Sequence, residues 1–80
     1  GSAKPMKARQ FKFNGLMVRM LRKQMKLRPC DLAQTTGLTV RAIYNIEHGH
    51  SPNPRLATMA ALAQALRIPV EQLIFEVPQK

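Results

Sequence analysis

Apolar residues along the chain recur at helical spacing, three and four positions apart, in short runs separated by polar turns. Val18, Leu21 and Met25 line one face of a first predicted helix. Asn14 is its expected N-cap, with Phe13 before the cap and Val18 inside the helix as a hydrophobic staple. Arg19, Arg22, Lys23 and Lys26 give the same helix a strong positive charge. Pro29 opens a second helix, where its missing N–H costs nothing, and Asp31 in the first turn suits the positive end of the helix dipole. Leu32 and Ala33 supply the buried face of this helix. Gly37 can take the positive φ that ends it and reverses the chain. Thr39 then caps a third helix, with Leu38 and Ile43 as a second staple.

Gly49 ends the third helix, and residues 50 to 52 form a loop before Asn53 caps and Pro54 opens a fourth. The fourth helix packs through Leu56, Met59, Leu62, Ala63 and Leu66. A short fifth helix, over about residues 70 to 75, closes the core with Leu73 and Ile74 before Pro78. No strand pattern and no internal repeat is visible. The predicted class is therefore all-α, a compact five-helix domain over residues 14–76. A flexible basic arm, interrupted by Pro5, precedes it over residues 1–13, and a tail of residues 77–80 follows.

The third helix, residues 39 to 48, carries different chemistry on its two faces. At about 100° per residue, Ile43 and Ile46 fall on one side and Arg41, Tyr44 and Asn45 on the other, with Val40 in the first turn. Arginine can bond guanine O6 and N7 together, asparagine can do the same at adenine N6 and N7, and an aliphatic tip can touch a thymine methyl. All three chemistries sit within two helical turns.

Charge sharpens this picture. The formal net charge is +9, and nine of the 13 Lys and Arg residues lie at or before Arg28, whereas the first acidic residue is Asp31. A block of like charge suits a polyanion. An anionic membrane surface is a poorer match, because residues 4 to 12 lack an amphipathic helix. No stretch reads as a membrane span or signal peptide, which points to a cytoplasmic protein. The only cysteine, Cys30, cannot form an internal disulfide and is expected as a small core residue. His48 and His50 match no closed metal-ligand pattern, so neither a metal nor a cofactor is expected. With no nucleophile-base pair and no phosphate-cradling loop, the chain does not read as an enzyme.

Two helices joined by a tight turn around a glycine form the arrangement that lays its second helix in the major groove. From about Val18 to Ile74 the chain resembles the Cro/C1 type (Xre, lambda-repressor-like) of helix-turn-helix domain. The resemblance rests on residues 18 to 22, Leu32-Ala33, Gly37-Leu38-Thr39, Ile43, Ile46-Glu47-His48-Gly49, Pro52-Asn53 and residues 62 to 66. It implies a structural ion pair between Glu47 and Arg22, and a carboxylate at the edge of the apolar face would indeed be costly without a bidentate partner. It further implies base reading by Thr39, Val40, Arg41, Tyr44 and Asn45, and phosphate contacts from Arg28, His48, His50, Ser51 and Arg55. The arm residues Lys4, Lys7, Arg9 and Lys12 could follow the backbone or enter the minor groove. One departure stands out: the family commonly places Ser or Thr before the second helix and Gln at its first position, whereas this chain has Arg28 and Pro29.

The expected function is that of a sequence-specific regulator of transcription, a repressor binding a double-stranded DNA operator as a homodimer. The alternative is an antitoxin-like or other protein-interaction module that binds DNA secondarily, with a partner on the patch around Ile74, Phe75 and Val77. Gly1-Ser2 reads as a tag-cleavage remnant, consistent with a domain taken from a longer regulator whose C-terminal part is missing.

Overall fold

In the computed structural model, which describes residues 10–77, the Asn14 carbonyl oxygen of the side chain accepts the Met17 main-chain N–H at 3.0 Å and α1 (Gly15–Gln24) follows. Three further helices succeed it: α2 (Pro29–Thr36), α3 (Val40–Glu47) and α4 (Leu56–Leu66). A one-turn 3-10 helix at Val70–Leu73 completes the helical part. Each of these five elements sends one wholly buried side chain to the centre, namely Val18, Leu32, Ile43, Leu62 and Leu73. Ala33, Ile46, Ala63 and Leu66 fill the space between them, and Phe13, Leu21 and Leu38 pack at the margin. α1 crosses α3 closely because Gly15 has no side chain: a Cβ there would run into the Ile46 carbonyl.

Among the described residues there are four α-helices and a strand pair instead of five helices. β1 (Phe11–Phe13) runs antiparallel to β2 (Ile74–Glu76), with Phe11 opposite Glu76, Lys12 opposite Phe75 and Phe13 opposite Ile74. The Val77 N–H donates to the Gln10 carbonyl at 2.7 Å and the Asn14 N–H to the Leu73 carbonyl at 2.6 Å, so hydrogen bonds flank the ribbon at both ends. Ile74 is already extended, at φ −126° and ψ 155°, and the predicted fifth helix stops after one turn. Three-residue strands are too short to display a period of two, and their pairing spans most of the chain. Residues 11–13, assigned to the arm from sequence, thus belong to the fold.

Four smaller expectations also change. α4 begins at Leu56, not at Pro54: residues 52 and 53 form a bend, and Arg55, the N-cap, is extended at φ −64° and ψ 154°. Leu56, at the first residue of α4, is exposed instead of packed. Met25 is the C-cap of α1 and likewise exposed. Cys30 is exposed because it sits two residues, about 200°, from the buried Leu32.

Candidate nucleic-acid interface

The turn between α2 and α3 is built from local bonds. Gly37 adopts φ 79° and ψ 8°, and its N–H returns to the Ala33 carbonyl at 2.8 Å. The Thr36 hydroxyl donates to the Leu32 carbonyl at 2.8 Å and accepts the Leu38 N–H at 3.3 Å. Thr39 accepts the Ala42 N–H at 3.0 Å and starts α3. These bonds, with Ile43 and Ile46 buried below, fix the direction in which α3 presents its outer face.

That outer face is open. Val40, Arg41, Tyr44, Asn45 and His50 together line one shallow concavity. Val40, Arg41 and Tyr44 are exposed, while Asn45 is half-buried. The loop after α3 folds back over Asn45, whose main-chain carbonyl accepts the N–H groups of His50 at 2.8 Å and Ser51 at 3.2 Å. His50 thereby joins the residues of the α3 outer face, whereas Ser51 and Arg55 line a neighbouring depression with Leu38 and Ala42. His48 lies flat on Tyr44, with ring centroids 4.0 Å apart and planes at 23°. Their spacing of four residues on a helix puts the two rings on one face.

Arg28 stands exposed at the N-terminus of α2, held by Asp31. Its Nε and Nη2 donate to the Asp31 carboxylate at 3.2 and 3.3 Å, and the same carboxylate accepts the Arg28 main-chain N–H at 2.9 Å. Asp31 thus supplies the cap that Arg28, whose guanidinium has no acceptor, cannot. The side-chain bond from Arg28 is the main cause holding the Asp31 carboxyl below its ordinary range. Lys12 lies on β1 opposite Phe75, while Lys4, Lys7 and Arg9 fall outside the described residues.

Behind the interface, Arg22 and Glu47 are both buried and paired in bidentate fashion, Nε to Oε2 at 2.7 Å and Nη2 to Oε1 at 3.1 Å. Arg22 Nη1 also donates to the Leu27 carbonyl at 2.7 Å, which joins α1, the turn before α2, and the end of α3. The bond to Glu47 is the main cause raising the Arg22 pKa. Among the described residues no three His, Cys, Asp or Glu side chains gather as a metal site, and no helix is long and apolar enough to cross a membrane.

Known proteins share this arrangement. The chain is 39% identical over 62 residues to the HTH-type transcriptional repressor RghR of Bacillus subtilis, a match covering 78% of this chain and 46% of that protein. It therefore spans less than half the length of that relative. The restriction-modification controller protein C.AhdI from Aeromonas hydrophila superposes with a TM-score of 0.68 at 32% identity, covering 74% of this chain and 88% of that one. The P22 c2 repressor protein, solved in complex with the synthetic operator 9T, superposes with a TM-score of 0.70 at 29% identity over 74% and 88% of the two chains. With a helix-turn-helix family model matching residues 18–73, from the middle of α1 through the 3-10 helix, the chain belongs to the helix-turn-helix family.

Proposed function

We propose that this chain is a sequence-specific, double-stranded-DNA-binding transcriptional regulator that represses by occupying its operator. The observation that carries the reading is the open outer face of α3, where Val40, Arg41, Tyr44 and Asn45 gather above a rigidly capped turn. Arg41 and Asn45 supply base-edge hydrogen bonding, Val40 an apolar contact to a thymine methyl, and Thr39 a hydroxyl at the start of the helix. Arg28, Ser51, Arg55 and His50, the last from within the same concavity, serve the phosphates, which set register and orientation. The protein works in the cytoplasm by binding, without catalysis or a cofactor. A homodimer would place two copies of α3 about 34 Å apart, in successive major grooves of a near-palindromic site. The names of RghR and the P22 c2 repressor support the same reading.

Selection of bound sequences from a random duplex library tests it. Recovery of an inverted repeat with half-sites about 10 base pairs apart is the expected result. Salt-sensitive binding with no enriched motif would overturn it and leave a basic domain with general affinity for DNA.

A further inference from the structure

The stack of His48 on Tyr44 is more than a contact between two exposed rings. The His48 Nδ1 lies 2.9 Å from the Tyr44 main-chain oxygen, and a carbonyl only accepts, so Nδ1 carries the hydrogen and donates. The same oxygen accepts the His48 main-chain N–H at 3.0 Å. Ring and backbone of His48 are therefore anchored on one atom of the residue they cover. His50 stands beside the stacked pair, its ring centroid 6.2 Å from that of Tyr44 and 6.5 Å from that of His48.

We infer that His48 is a positioning residue: it holds the Tyr44 phenol in one orientation beside Arg41 and Asn45 for base reading. The inference rests on the proposed function above. A half-exposed tyrosine on an isolated helix face would sample several rotamers and would have to be ordered on binding. Ordering it beforehand is worth about two- to ten-fold in affinity. The gain falls on the preferred site, where the ring meets its matching base, and not on arbitrary DNA.

The chain has one tyrosine, so the Tyr44 side-chain signals are unambiguous in NMR of selectively labelled protein. Two variants separate the roles: His48→Ala removes the ring, and His48→Phe keeps a flat ring without a donor. In the free protein His48→Ala should bring the Tyr44 χ1 couplings to rotamer-averaged values, whereas His48→Phe preserves them. On DNA, His48→Ala should lose about two- to ten-fold on the selected duplex, with binding to a scrambled duplex and the salt slope unchanged. Unchanged couplings in His48→Ala would overturn the inference, with or without DNA. So would equal weakening on both duplexes with a salt slope shallower by about one, the mark of a lost phosphate contact. If wild type prefers neither duplex while His48→Ala loosens Tyr44, the proposed function fails and the positioning of Tyr44 stands.

Discussion

Glu47 has a nearly inaccessible carboxylate, and its neutralisation depends on Arg22, 25 residues earlier. Removing one member of a buried pair leaves an uncompensated charge, at a cost of about 3–5 kcal/mol. Glu47→Ala is expected to lose stability in that range by urea denaturation, and a loss below about 1 kcal/mol would show that water already neutralises Arg22. The resemblance to the helix-turn-helix pattern made this pair legible, because nothing in the local spacing links residues 22 and 47. Asp31 behaves differently, being on the surface. Its carboxyl is depressed in the folded state, so folding binds fewer protons than the unfolded chain does and is favoured by ionisation. That contribution is complete above the ordinary carboxylate range near pH 4 and is lost as pH falls through the depressed value. Thermal melts should therefore place Asp31→Ala below wild type at pH 7, with the gap closing in acid. A gap that persists unchanged at pH 2 would refute the ionic cap.

Among elements, the α1–α3 crossing depends most on a single position. Gly15→Ala would ordinarily gain about 1 kcal/mol of helix propensity. Here the new methyl meets the Ile46 carbonyl, a backbone atom that cannot swing away. Overpacking of this kind costs about 1–3 kcal/mol, so a net lowering of the melting temperature is expected. A rise would mean that α1 can slide on α3 without loss. The helices themselves were readable in advance because each carries its own punctuation: Asn14, Pro29, Gly37 and Thr39 all act locally. The start of α4 is harder to read for the same reason, since Asn53-Pro54 has the chemistry of a helix start but Arg55, the residue that caps the helix, is extended. β1 and β2 were invisible because neither strand has a meaning until the other, more than 60 residues away, lies beside it.

For the molecule as a whole, charge and recognition should separate experimentally. A net charge of +9 should give affinity for any duplex, and four to seven phosphate contacts would correspond to a log-log salt slope on the order of −4 to −6 per monomer. Arg41→Ala should cost about 1–3 kcal/mol on the selected site only and relax preference at one base pair. Arg28→Ala should weaken selected and scrambled duplexes alike and make the slope shallower by about one. Identical behaviour of the two variants would remove the distinction between base reader and phosphate contact. The α3 face was legible as a two-sided helix, but the separation of His50 from Ser51 and Arg55 was not, because it depends on how the loop wraps over the Asn45 carbonyl.

The antiparallel ribbon also brings residues 10 and 77 side by side, since the Val77 N–H meets the Gln10 carbonyl. Antiparallel neighbours of this kind can be bridged by a turn of about two residues. In connectivity the domain is thus one short link away from a ring, and a ring can be cut elsewhere. Joining residues 10 and 77 and opening the chain at the exposed Pro52-Asn53 segment should give a circular permutant with wild-type helix content and cooperative unfolding by circular dichroism. Such a permutant would move the chain ends from the strand ribbon to the loop beside α3, so that a fused module could be hung next to the recognition helix instead of behind it.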